Sequence, residues 1–177
     1  MTRHYDSALF LHRTDKDTIL LLLYVDDMII TGDDLIGIQE LKDFLGQQFE
    51  MKYLGHLSYF LGLEITHSTD RLYITQAKYA FELLSRAGLI DSKTVDTSIE
   101  LNAHLTPTGG KPLSNPSVYR RLVGSLVYLT VTRPDISYVV HQVSQYLSAP
   151  RSTYYAAVLR ILQYLKGTLF HGLFYSA

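Results

Sequence analysis

The chain has 177 residues, 47% apolar and 19% charged, enough for one packed core and short for two ordinary domains. It contains no cysteine, which excludes a disulfide scaffold, a thiolate metal site, an iron–sulfur cluster and a cysteine nucleophile, so any chemistry must use oxygen and imidazole. The formal net charge of -1 hides a division: residues 1–70 carry a balance of -7 and residues 71–177 a balance of +6. That pattern suits an acidic part that gathers cations and a basic part that meets a polyanion, and two solvated faces would give it too.

No apolar run approaches the roughly 20 residues of a membrane-spanning helix, and Met1 to Asp6 does not open a secretory signal, so a soluble intracellular protein is expected. Cytoplasm, nucleus and organelle all remain open. The first predicted elements are a strand at Ile19 to Val25, an interruption at Asp26-Asp27, and a second strand at Met28 to Thr31 before Gly32. This is a hairpin with acid at its tip, and strands missing beside Ile19 to Val25 would leave that sheet edge open. Asp33 or Asp34 is placed to cap a helix whose apolar positions Leu35, Ile38, Leu41, Phe44 and Leu45 advance by threes and fours and predict one buried face. Leu57 to Thr66 reads as a third strand, and Leu72-Tyr73-Ile74 as a fourth that pairs back on it.

Beyond Thr75, Ala77, Ala80, Leu83, Leu84 and Ala87 mark a helix closed by Gly88. Residues 102–116, rich in Pro and Gly, read as an exposed linker and as the main boundary of the chain. Three helices follow, at about 117–130, 134–148 and 152–166. Residues 169–175 are strand formers, an element that expects a neighbour. The fold class is therefore α+β, with strands and a helix followed by a helical bundle.

The sharpest local feature is Tyr24-Val25-Asp26-Asp27. Aspartate is common in turns for its own sake. Two adjacent carboxylates on a rigid apolar ribbon also repel each other and are best stabilised by a hard divalent cation, Mg²⁺ or Mn²⁺. Paired ions about 3.5–4 Å apart are a standard device for in-line phosphoryl transfer, and such a site needs a further carboxylate. The seven histidines are scattered with no i, i+4 pair, and no glycine-rich phosphate loop is present. Glu64 is expected in solvent at a strand edge. Tyr128, Tyr138, Tyr146 and Tyr164 sit at helical spacings that suit a half-buried core better than base stacking.

The run Leu22 to Gly32 resembles the catalytic hairpin of reverse transcriptases, specifically those of copia-type long-terminal-repeat retrotransposons. Met51 to Gly55, Tyr59 to Ile65, Ile74 to Tyr79, Tyr119 to Leu129, Thr132 to Ile136 and Leu162 to Thr168 are similar to later blocks of the same family, in order, over nearly the whole chain. The resemblance implies a partial palm with the catalytic hairpin and a primer-grip-like strand over 1–74. It also implies a helical palm or thumb segment over 75–101, the linker, thumb and connection helices over 117–168, and a lead-in to a ribonuclease H domain over 169–177. Asp26 and Asp27 would be catalytic and metal-binding, with Asp26 the direct ligand of both ions. Tyr24, Phe60, Leu61, Gly62, Arg120, Arg121 and Lys166 would touch nucleic acid, with Arg133, Arg151 and Arg160 as further cations on the same helices.

The implied cofactor is Mg²⁺ or Mn²⁺ in a two-ion site left incomplete here. The implied partners are an RNA or DNA primer–template and the upstream fingers and downstream ribonuclease H of the same polyprotein, with no membrane. The family's third metal-binding aspartate has no match upstream of Tyr24, where Asp6, Asp15 and Asp17 lie in a loop and first strand. The expectation is a polymerase fragment inactive by itself; a non-catalytic nucleic-acid-binding module and a decayed retroelement relic are the alternatives.

Overall fold

The computed structural model describes residues 9–14, 17–100, 105–106 and 108–176; the readings made above on Met1 to Asp6, Asp15, residues 102–104 and Pro107 lie outside them. The chain divides into two compact units, Met1–Leu57 and Ser58–Ala177. Together they are a mixed α/β structure with two antiparallel sheets and five α-helices among the described residues. No described helix is long and apolar enough to cross a membrane.

In the first unit, strands β1 (Leu9–Arg13), β2 (Thr18–Tyr24) and β3 (Asp27–Gly32) form a sheet in the order β1-β2-β3. The β1–β2 connection is tied by Thr14, whose N–H reaches Asp17 O at 2.9 Å and whose hydroxyl oxygen accepts from Asp17 N at 3.0 Å. The aliphatic run Ile19 to Leu23 therefore has a neighbour on each side, Leu11 opposite Leu20 and Thr31 opposite Leu20 on the other. The open edge expected there is filled by the chain's own Leu9–Arg13, whose apolar residues and short turn were enough to add a strand.

Asp34 caps helix α1 (Leu35–Gln48), its Oδ1 accepting from Gly37 N at 2.8 Å, while Asp33 accepts from Thr18 N and ties the end of β3 to the start of β2. Of the expected apolar face, only Ile38 is buried; Leu41 and Leu45 are half-buried, and Leu35 and Phe44 are exposed. The helix packs chiefly on β3, with Gly37 also close to Ile19 of β2, so the strip it covers is narrow.

The second unit pairs a four-stranded sheet, in the order β4 (Tyr59–Phe60), β5 (Leu63–Ser68), β6 (Arg71–Thr75) and β7 (Leu173–Ser176), with helices α2 (Ala77–Arg86), α3 (Pro116–Leu129), α4 (Ser137–Ser144) and α5 (Ser152–Gly167). The single strand expected from Leu57 to Thr66 is two strands, broken at Leu61-Gly62 by positive φ at both residues, 49° and 79°. Residues 173–176 find their neighbour in β6, with Phe174 opposite Tyr73. The helix expected over 134–148 is a 3-10 turn at Pro134–Ile136 followed by the short α4, which ends at Ser144.

One apolar core joins all four helices of this unit: Leu83 and Leu84 of α2, Leu126 of α3, Val143 of α4 and Ile161 of α5 are among its members. Two tyrosines lie fully within it. Tyr119 donates to Val143 O at 2.6 Å and Tyr154 to Thr106 O at 2.5 Å, so each ring is buried with its hydroxyl satisfied. Tyr138, by contrast, is exposed, whereas Tyr128, Tyr146 and Tyr164 are half-buried as their spacing suggests.

The segment read as an exposed linker is strapped down where it is described. Arg151 donates to Thr108 O at 3.0 Å, Thr153 to Gly109 O at 2.9 Å and Ser152 N to Lys111 O at 2.8 Å, while Leu105 and Leu113 pack against the core. Its backbone polar groups are thus satisfied by the start of α5.

Candidate functional site

The hairpin of the first unit places its acids as its pairing dictates. Tyr24 stands opposite Asp27, so these two side chains share a face of the sheet, and Val25 and Asp26 form the two-residue turn between them. Val25 has φ 51°, a conformation costly for a β-branched residue, and is 87% exposed, so no packing rewards it. Tyr24, Asp26 and Asp27 are also exposed. The two carboxylates are hard oxygen donors on successive residues, and Mg²⁺ keeps several waters while binding one or two carboxylates together with substrate phosphates. The donor set therefore fits such an ion in kind. Among the described residues no group of three or more His, Cys, Asp or Glu is placed to hold a metal, so these two are what the described part offers.

Phe60, Leu61 and Gly62 lie at the tip of the β4–β5 hairpin in the second unit, where Phe60 pairs with Leu63 around a two-residue turn. Positive φ at both central residues is the signature of a type I′ turn, which asks for glycine at its second position. A Cβ on Gly62 would also lie 2.9 Å from the Tyr128 hydroxyl. That hydroxyl donates to Leu61 O, and its ring meets Tyr79 edge-on with centroids 5.0 Å apart. The turn and the tyrosine together account for glycine here, without any ligand.

The basic residues of the helical unit are largely engaged with the chain itself. Arg120 donates to Leu147 O at 2.8 Å just beyond the end of α4, and Lys166 donates to Ser92 O. Arg151 holds the strap at 105–113, and Arg160 donates to Thr97 Oγ1 at 3.0 Å. Arg121 is exposed and makes no hydrogen bond or ion pair among the described residues. Glu64, expected in solvent, accepts from Thr75 Oγ1 at 3.1 Å and from Lys78 N at 3.0 Å. It supplies the start of α2 with the side-chain acceptor that Gln76 at the N-cap does not.

Arg133, expected to face phosphate or cap a helix, is instead buried at 3% exposure. Its guanidinium forks onto Asp135 at 2.9 and 2.7 Å and reaches Thr168 O at 2.9 Å and Thr168 Oγ1 at 2.7 Å, with the Tyr164 ring 5.6 Å away. Tyr164 donates to the same carboxylate at 2.9 Å. Burial pushes the Asp135 carboxyl up, but the bonds from Arg133 and Tyr164 outweigh it and hold the group below its ordinary value. Burial and the neighbouring carboxylate push the Tyr164 phenol up. This cluster borders an open cavity of about 410 Å³ with Tyr73 and His171. The sequence held a signal for it: two opposite charges flanking Pro134 inside an apolar stretch can reach each other only by turning back.

Residues 2–101 match the family model described as reverse transcriptase (RNA-dependent DNA polymerase). The chain is 40% identical over 169 residues, 96% of its length, to the retrovirus-related Pol polyprotein from transposon RE2 of Arabidopsis thaliana. It is 38% identical over 88% of its length to that from transposon TNT 1-94 of Nicotiana tabacum. In both it spans 12% of the polyprotein. An uncharacterised mitochondrial protein of Arabidopsis thaliana is 42% identical over 87% of this chain and 64% of its own length. No solved structure matches.

Proposed function

The chain belongs to the reverse transcriptase (RNA-dependent DNA polymerase) family, and from that premise we propose that it is the stretch of a copia-type retrotransposon polymerase that carries the paired catalytic carboxylates Asp26 and Asp27. The observation that carries the reading is the tip of the β2–β3 hairpin, where a two-residue turn on an apolar ribbon leaves both carboxylates exposed. Members of this family generally use divalent metal ions and bind a nucleic-acid template.

In this reading Asp26 and Asp27 hold the ions, which when bound would neutralise charge on the phosphates and acidify the attacking hydroxyl. Tyr24, on the face of Asp27, would pack beside the nucleotide and the primer end. The β4–β5 hairpin with Phe60, Leu61 and Gly62 corresponds to the primer grip, and Arg120, Arg121 and Lys166 to contacts with the duplex backbone. The first unit and β4–β6 would belong to the palm, and α3 to α5 to the thumb and connection. Two carboxylates with no third acid placed beside them among the described residues make a poor two-ion site by themselves, and in this reading polymerisation needs a further acid beside them.

The test is primer extension on a primed RNA template with deoxynucleotides and Mg²⁺, by this chain alone and by the chain joined to the upstream segment of the RE2 polyprotein. The joined protein is expected to extend the primer and to lose at least 100-fold on Asp26→Asn, as a guide of about 10²–10³ for one electrostatic group suggests. Extension by the isolated chain that Asp26→Asn abolishes would refute its dependence on further segments. A joined protein that folds, binds duplex and is indifferent to Asp26→Asn would refute the assignment of the hairpin.

A further inference from the structure

We propose that Tyr128 is a positioning residue that locks the Leu61-Gly62 tip of the β4–β5 hairpin onto helix α3, and that this lock sets the geometry in which the end of a primer strand is held; the second clause rests on the function proposed above. The hairpin is short, only two residues on the β4 side, and its turn puts Leu61 at φ 49°, a left-handed conformation that a non-glycine residue adopts at a cost. Such a residue persists only where its surroundings determine it. The Tyr128 hydroxyl, arriving from a different element 67 residues along the chain, donates to the carbonyl of that same residue.

Gly62 is what allows the approach, since a side-chain carbon there would meet the hydroxyl at 2.9 Å. Tyr128 is itself held. Its ring meets Tyr79 of α2 edge-on, and the Arg86 guanidinium lies 6.0 Å from the Tyr79 ring, so the hydroxyl is aimed by two helices of the core. On the β4 side the hairpin is tied by a short ladder, Tyr59 and Phe60 with Ser58 O accepting from Ile65 N at 2.8 Å, whereas β5 continues into the sheet, so the bond from α3 gives the tip a second anchor. Fixing the carbonyl of Leu61 fixes the tip against α3, the helix that also carries Arg120 and Arg121. The tip and Arg121, the exposed arginine of that helix, then move as one body, which a grip on a strand end requires.

The test uses the full 177-residue chain and two fluorescein-labelled DNA duplexes of one sequence, one with a recessed 3′ end and one blunt, at a fixed salt concentration. Hydrogen exchange of the amides from Tyr59 to Ile65 and thermal melting by circular dichroism are followed in parallel. Tyr128→Phe is expected to lower the preference for the recessed end by about three- to tenfold, the worth of one hydrogen bond of about 1 kcal/mol with its usual spread. It should speed exchange in the hairpin and leave the helical melt nearly unchanged.

Unchanged exchange and unchanged preference in Tyr128→Phe would overturn the lock. Faster exchange with an unchanged preference would leave the functional reading standing and overturn the positioning role. A wild-type chain that does not distinguish the two duplexes would overturn the reading of the hairpin as a grip, and the role with it.

Discussion

Asp135→Asn removes one charge from the buried cluster around Arg133 while keeping the shape of the side chain. The guanidinium would be left at 3% exposure with one oxygen where it had two, and with an amide N–H₂ aimed at its own donors. Removing one partner of a fully buried pair costs about 3–5 kcal/mol. The Asp135 side chain is 37% exposed, so water can reach the vacated position, and the two bonds from Arg133 to Thr168 survive. A loss of about 2 kcal/mol is therefore expected. At about 3–5 °C per kcal/mol for a unit of this size, the melting temperature should fall by about 6–10 °C.

Circular dichroism at 222 nm reads this directly, since four of the five described α-helices lie in the second unit, and the absence of tryptophan rules out the usual fluorescence probe. The pH dependence gives a second check. The carboxyl of Asp135 lies lower in the folded chain than in the unfolded one, so protonation favours unfolding. Its contribution is complete above the unfolded value of about 3.9 and disappears as pH falls through the folded value. The gap between wild type and Asp135→Asn should hold from pH 7 to about 5 and narrow below about 4. A loss below about 0.5 kcal/mol, or a gap that persists undiminished at low pH, would refute the argument.

Other substitutions test other joints of the chain. Val25→Gly should stabilise the first unit by about 0.5–1 kcal/mol, because relief of the strained φ of 51° exceeds the entropy glycine adds to the unfolded state; slower exchange of the β2–β3 amides is the readout. Gly62→Ala should destabilise the second unit by about 1–2 kcal/mol through its positive φ and the 2.9 Å approach to Tyr128, and denaturant melts should show part of that loss recovered when Tyr128→Phe is added. Tyr154→Phe should cost about 1 kcal/mol by releasing Thr106 O and should quicken proteolytic cleavage around residues 105–111, while the ring stacked on Tyr146 at 3.9 Å keeps its place.

What could be read from the sequence followed the strength of its local signals. The hairpin was legible because Ile19 to Leu23 is a short, β-prone apolar run that forms a half-buried strand, because Asp26 marks a turn, and because Asp34 caps the helix that follows. Helix α2 ends as its Gly88 suggests, with φ 68° and Leu89 N bonding back to Leu84 O. The break at Leu61-Gly62 was hidden because one glycine in an apolar run reads as a bulge as easily as a turn; it is settled by Tyr128, 67 residues away. The strap at 105–113 was hidden for a similar reason. Proline and glycine announce an irregular backbone, and whether that backbone is free or pinned depends on Arg151, Thr153 and Tyr154, which belong to another element.

The charge balance illustrates the same limit more sharply. Counted by compact unit, the first carries -5 and the second +4, so the polarity read from the sequence survives the change of boundary. A surplus of cations is a long-range property and acts on a polyanion wherever the side chains point. Contact with phosphate is a short-range one, and most of the arginines that raised the expectation bond to carbonyls, hydroxyls or acids of their own unit: Arg120, Arg133, Arg151 and Arg160. Arginine's five donors make it the residue best able to fasten helix ends and loops in a chain without disulfides, and each such use lowers its freedom to meet a ligand. Steering toward a nucleic acid can thus be legible from composition while the individual contacts are not, and Arg121, exposed and without a bond among the described residues, is the arginine of α3 whose replacement separates the two effects.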